Sequence, residues 1–426
     1  MSSMGRRVVL TGIGVVTPVG QDAASFWDGL VHNKSGIRTI QSFDPSPLEV
    51  RFGGEVAGFD AKKYLSKEGR KQMKVMARAI QLAVAAAQLA VDDGQVQVPR
   101  LDAARFGVEF GAGLLPSELV ELGPAAVVSR DTVPGQVDLK AWGEKGLPVI
   151  TPLWMLKYLP NMLACHVSIL HNAQGPSNSI TAGDVGGLLA VGEAYHIIRR
   201  DQADIFLVGG ADSKVNPLSM IRQGMFRHLS RRNDAPDQAC RPFDKDRDGL
   251  AIGEGGGVLV LEELEHAKKR GARIYGEVVG FGAAFDRGMT GSGLVRAIHA
   301  ALKQAGISPA EIDHVNAHGL GSPRFDAIEA NALAEVFGPA AVPVWAIKGN
   351  IGNLGAGSGT TELAASLLAL KHRTVPATRN HTAAGADCPV AVTTAARAVE
   401  KGCALKLGFT DMGQCAAVVV RSPLAG

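Results

Sequence analysis

Two stretches of the chain share one layout, and that repetition constrains the fold more than any other feature. In the first, a β-prone run at 177–181 enters a glycine-rich turn (182–187), a helical run (188–199) and a strand at 204–209. Glycines 255–257 then open onto a strand at 258–262. In the second, a strand at 343–347 meets a glycine-rich turn (349–359), a helix (360–370) and a strand at 404–408. A short glycine-containing turn leads into a last strand at 415–421. Strands alternating with helices predict sheets covered on both faces. Duplication predicts two related halves, 1–262 and 263–426, with a site where the two glycine turns meet.

Bulk properties narrow the function. The 426 residues carry 44 Lys+Arg against 41 Asp+Glu, so any acidic partner must be met by a local patch, and nucleic-acid binding is not expected. Five cysteines (Cys165, Cys240, Cys388, Cys403, Cys415) lack metal-ligand or framework spacing, which predicts a reducing, cytoplasmic setting and no metal. Arg6 and Arg7 precede an apolar run, but Gly12, Gly14 and Pro18 read as a strand and turn rather than a signal peptide. No apolar run reaches the roughly 18–20 residues of a membrane helix. Asp22 predicts a helix cap. Over 66–93 one long helix is expected, aligning Lys67, Lys71, Lys74 and Arg78 on one face. The stretch 115–146 follows neither period.

Three glycine clusters imitate ligand loops. Gly12, Gly14 and Gly20 are badly spaced for a dinucleotide fingerprint. The segment 349–361 lacks the Gly-Lys-Ser/Thr ending of a phosphate loop, though its helix N-terminus could face an anion or a carbonyl. Glycines 253–257 open onto a strand, which predicts close backbone approach.

Chemistry concentrates at three strand ends. One delivers His318 into a glycine turn, with Asp326 and Glu329 downstream; one delivers Lys348 and then Asn353; one ends at Phe409. Such convergence suits a site at the edge of an α/β sheet. At these residues the chain resembles the elongating β-ketoacyl-acyl carrier protein synthases. The similarity runs through 6–20, 26–59, 175–187, 203–210, 315–329 and 348–362, and is densest over 241–280, RPFDKDRDGLAIGEGGGVLVLEELEHAKKRGARIYGEVVG. It implies a thiolase-like five-layered αβαβα fold of two duplicated halves, and an obligate dimer, either a heterodimer with a cysteine-bearing ketosynthase or a homodimer.

The resemblance also implies roles. Family members hold a cysteine nucleophile in a Thr-Ala-Cys turn at a helix N-terminus, where the thiolate is favoured. Two histidines assist malonyl-thioester decarboxylation, a lysine orients the network, and backbone N–H groups form the oxyanion hole. His318 matches the first histidine, Lys348 the lysine and Phe409 the gating phenylalanine. Asp326, Glu329 and Glu362 match the supporting acids. The nucleophile turn here reads Thr181-Ala182-Gly183-Asp184, so Gly183 takes the cysteine position. The second histidine is Asn353, an amide that can still donate. Of the hydroxyls that touch the phosphopantetheine arm only Ser322 remains, beside Leu320. Phe409 is followed by Thr410, Asp411 and Met412 instead of small residues. Asp184 is expected to point away from the site, and neither Cys165 nor Cys415 is at a matching position.

Glycine cannot form an acyl-enzyme. The resemblance therefore implies a chain-length-factor-like partner of a cysteine-bearing ketosynthase. The alternatives are a malonyl-acyl carrier protein decarboxylase using His318 and Asn353, and a condensing enzyme working by another route. Each implies an acyl carrier protein as partner, its phosphopantetheine arm being the only prosthetic group. Docking would use Lys67, Lys71, Lys74 and Arg78, or Lys268, Lys269 and Arg270.

Overall fold

The computed structural model describes residues 5–226 and 228–423. Its first half contains strands β1 (Val8–Val16), β2 (Phe106–Ala112), β3 (Ser177–Thr181), β4 (Ile205–Ser213) and β5 (Glu254–Glu263), in the spatial order β3-β2-β4-β5-β1. The second half contains β6 (Gly276–Phe285), β7 (Ile312–Asn316), β8 (Pro343–Trp345), β9 (Cys403–Phe409) and β10 (Gln414–Arg421), in the order β8-β7-β9-β10-β6. The two orders correspond strand for strand, as do the directions: three parallel strands and then two antiparallel ones. The halves are not separate sheets. β1 and β6 pair over three residues (Val8 to Leu10 with Val278 to Gly276), so one hydrogen-bonded sheet runs through both.

Six helices make the remaining layers: α1 (Arg78–Asp93), α2 (Met162–His171), α3 (Gly186–Arg199), α4 (Ser292–Ala305), α5 (Pro323–Phe337) and α6 (Ser358–His372). α3 and α6 form the central layer, and their apolar side chains join those of both strand arrays in one buried cluster. Two further clusters lie under the outer helices α1 and α2, and α4 and α5. This is the five-layered thiolase-like arrangement.

The glycines of β1 are explained by this packing. A Cβ at Gly12 or Gly14 would lie 2.4 and 1.9 Å from the carbonyl oxygens of Ala90 and Ala86 on α1. At the equivalent places in β6, Gly280 and Gly282 would meet Ala301 and Ala297 of α4 at 2.1 and 2.0 Å. Both pairs let a helix lie close on its strand, which leaves no reason for a nucleotide site.

The long helix expected over 66–93 is broken. A short helix, Lys67–Gln72, gives way to the 3-10 turn Met73–Val75; Met76 and Ala77 are extended, and α1 starts at Arg78. No Gly or Pro marks the break. It buries Met76 and Ala77 and turns Arg78 inward onto Glu254 at 2.7 Å. The stretch 115–146 contains the helix Leu119–Val128 and short irregular turns.

On β2, Glu109 is 1 % exposed; its Oε2 has no hydrogen-bond partner among the described residues, and burial with nearby Glu193 pushes its pKa up to about 8. A raised acid pKa means that the folded chain keeps a proton the unfolded chain has lost, so stability falls as pH rises from about 4.5 to 8. Glu109→Gln should match the parent near pH 4.5 and gain about 1.4 kcal/mol over it per pH unit up to 8, read by denaturant unfolding.

Candidate functional site

The two glycine turns meet at the N-termini of the central helices. A Cβ at Gly187 would approach the Ala356 carbonyl at 3.0 Å, and one at Gly359 would strike Leu188 at 2.6 Å. Beside this crossing a cavity of about 310 Å³ opens, reached by Gly183, Asp184, Lys214, Leu320, Asn353 and Phe409.

Gly183 sits in the 3-10 turn Gly183–Val185 that leads into α3. Its φ is +53°, a left-handed conformation costly for other residues, and a Cβ there would meet nothing within 4 Å. No cysteine lines the cavity. Cys415 lies opposite Phe409 in the ladder but is buried, and burial pushes its thiol up to about 12, as it does for Cys240 and Cys388. Such thiols stay protonated and unreactive at neutral pH.

Asp184 does not point away. Lys214, half-buried just past the end of β4, donates to Asp184 Oδ1 at 3.1 Å and holds the carboxylate at the cavity wall. Asn353 Nδ2 donates to Asp184 Oδ2 at 2.7 Å, and His318 Nε2 lies 3.8 Å from that oxygen. Burial opposes the Asp184 charge, but the Lys214 cation and the Asn353 hydrogen bond outweigh it and hold the acid well below its usual range. The Asn353 amide expected to donate to a ligand is thus already engaged, and its Oδ1 accepts from Ser358 Oγ at 2.9 Å.

Behind Asp184 runs a buried polar chain. Lys348 Nζ lies 3.1 Å from His318 Nδ1, donates to the His318 carbonyl at 2.7 Å and pairs with Glu362. Burial first, and then the Lys348 charge, depress the His318 pKa well below 6.5, so the ring is neutral at pH 7. With Nδ1 facing an ammonium, the proton sits on Nε2, which has no hydrogen-bond partner among the described residues and faces Asp184. Phe409 packs on the imidazole with ring centroids 5.0 Å apart.

The remaining acids hold backbone. Glu329 accepts from the amides of His318 (2.6 Å) and Gly319 (2.8 Å). Asp326 accepts from those of Phe243 (2.7 Å) and Gly321 (3.1 Å), and burial pushes it up to about 7. Ser322 does not face the cavity; it is the buried N-cap of α5, and Leu320 takes its place in the lining. Two lysines went unnoticed in the sequence, Lys214 and Lys406. Lys406 is fully buried with Nζ 2.6 Å from Glu362 Oε2.

Of the expected docking cations, Lys67, Lys71 and Lys74 are exposed and make no ion pair among the described residues. Arg78 is taken by Glu254. Arg270 is bound to buried Glu262 at 2.7 Å and Lys268 to Glu265 at 2.8 Å, while Lys269 is exposed. This second group lies beyond Glu263, at the far end of β5 from Glu254; nine steps along a strand span about 30 Å.

Residues 5–267 match the family model for the N-terminal domain of β-ketoacyl synthases, and 275–382 match that for the C-terminal domain. The chain belongs to the β-ketoacyl synthase family. Among family members, 3-oxoacyl-[acyl-carrier-protein] synthase 2 of Vibrio cholerae is 38% identical over 88% of each chain. The putative polyketide β-ketoacyl synthase 1 of Streptomyces halstedii is 37% identical over 99% of each. A solved ketosynthase/chain length factor of ishigamide superposes with a TM-score of 0.86 at 29% identity, covering 98% of this chain and 99% of that one. The chain is therefore a β-ketoacyl-acyl carrier protein synthase-like protein of fatty acid or polyketide biosynthesis. No helix among the described residues is long and apolar enough to cross a membrane.

Proposed function

We propose that this ketosynthase relative is a non-condensing partner subunit, resembling a chain length factor, that works in the cytoplasm beside a cysteine-bearing ketosynthase. One observation carries the reading. Where the nucleophile is expected there is Gly183, and the adjacent Asp184 carboxylate is held by Asn353 and lies beside His318. Those two groups would stabilise a thioester enolate, and a fixed anion between them opposes the charge such an enolate develops. The same contact speaks against decarboxylation: incubation with malonyl-carrier protein should release no CO₂ above background, and release would favour the decarboxylase reading.

The surface supports a partner. Twelve large apolar side chains between Leu114 and Met155 are exposed, including Val120 (78 %) and Leu139 (83 %). The neighbouring edge strand β3 leaves Ser177, Asn178 and Thr181 exposed. Apolar patches and open strand edges of this kind mark protein interfaces. Beside them a second cavity of about 350 Å³ has an apolar wall of Leu115, Tyr158 and Val215 facing the charged Arg78, Glu118 and Glu254, and that apolar wall would bound a partner's acyl chain. Co-expression with a cysteine-bearing ketosynthase from the same source should give a heterodimer on size-exclusion chromatography; a homodimer indifferent to that relative overturns the proposal.

The carrier protein, bringing its own phosphopantetheine arm, would meet Lys67, Lys71 and Lys74. Reversing all three to Glu should weaken carrier-protein binding at least tenfold at low salt, with the gap narrowing as salt rises, whereas Lys269→Glu should leave it unchanged. Binding isotherms at two ionic strengths check this.

A further inference from the structure

We propose that Lys406 is a built-in cation at the base of the site, a positioning residue that fixes Glu362 and through it Lys348 and the ring of His318. This does not depend on the partner-subunit reading. Lys406 lies on β9 between Leu405 and Leu407, with no exposure to solvent. Its ammonium has three N–H donors and faces three oxygens: Glu362 Oε2 at 2.6 Å and the carbonyls of Asn316 and Ala317 at 3.2 and 3.1 Å. Those oxygens come from the end of β7, from the turn after it and from α6, so one group ties three elements together.

The position of each oxygen matters. Ala317 precedes His318, whose amide is held from the other side by Glu329. Glu362 uses its second oxygen to hold Lys348, which reaches both His318 Nδ1 and the His318 carbonyl. The ring proton therefore stays on Nε2, at the end of a chain that starts at Lys406. Two ammonium groups on one buried carboxylate are costly to desolvate, and a methionine would fill the same space more cheaply. It would also take a donor from the buried Asn316 and Ala317 carbonyls, remove the cation beside Glu362 Oε2 and free Glu362 to turn. Burial, with Lys348 nearby, pushes Lys406 down to about 8, against the pull of Glu362, so it remains mainly charged at neutral pH.

The test is the imidazole ¹⁵N spectrum of the full chain labelled in histidine, with the His318 signals assigned by their loss in His318→Asn. The parent should show the Nε2–H tautomer alone. Lys406→Met should add the Nδ1–H form to at least a tenth of the population. Lys406→Ala refolded with ethylammonium should return to one tautomer, and tetramethylammonium, which has charge but no donor, should not restore it. Unchanged ring signals in Lys406→Met, or equal rescue by both amines, overturns the proposal. If Lys406→Met does not fold, Lys406→Arg, which keeps charge and donors, should retain a single tautomer; a mixed pattern there counts against the proposal.

Discussion

Gly183→Cys should give the chain a covalent acyl adduct that the parent cannot form. The space exists, because a Cβ at this position meets nothing within 4 Å. The φ of +53° costs a cysteine about 1–2 kcal/mol, which a domain of this size tolerates. The N-terminus of α3 favours a thiolate, but Asp184 follows directly and its carboxylate disfavours one. The single variant should therefore acylate slowly. Adding Asp184→Ala removes the carboxylate that follows the new thiol and frees Asn353, and the rate should rise at least tenfold, equivalent to about 1.4 kcal/mol. Intact-mass time courses with an acyl-carrier protein read both variants. A double variant no faster than the single one would mean that Asp184 does not govern the site.

The second large effect is on stability. Glu362→Gln removes the one carboxylate among the described residues that is bound to both Lys348 and Lys406, each of which is no more than 1 % exposed. Breaking a buried ion pair by removing one partner costs about 3–5 kcal/mol, and here two cations lose theirs. Denaturant unfolding at pH 7 should show a loss in that range. The pH dependence has a definite sign. Lys406 already has a depressed pKa of about 8, so the folded state releases its proton before the unfolded state does, and stability rises with pH above that value. Without Glu362 the depression deepens, and the deficit should shrink as pH rises toward 9. A loss below 1 kcal/mol would show that the polar chain is not held by this carboxylate.

Much of the scaffold could be read from residue pattern alone. The duplicated strand–turn–helix order, the meeting of the glycine turns, and the convergence of His318, Lys348, Asn353 and Phe409 follow from periodicity and from where each strand ends. What escaped depends on partners distant in sequence. Asp184 turns inward because Lys214, thirty residues on, is half-buried beside it and donates to its carboxylate. Lys406 looks like an ordinary polar residue in a strand until α6 brings Glu362 against it. The break at Met76–Ala77 lacks a helix-stopping residue and arises because burying those side chains and pairing Arg78 with Glu254 outweighs local helix propensity. Ser322 was expected to reach the phosphopantetheine arm, but a serine two residues beyond Leu320 and directly before Pro323 is also placed to cap a helix, and here it does so.

In the proposed role this chain takes no acyl group itself and acts through a cysteine-bearing relative. The most direct measurement is intact mass of both chains of the co-purified pair after incubation with an acyl-carrier protein. An acyl mass on the relative alone is the predicted result. An acyl mass on this chain, with Gly183 in place, would overturn the partner role.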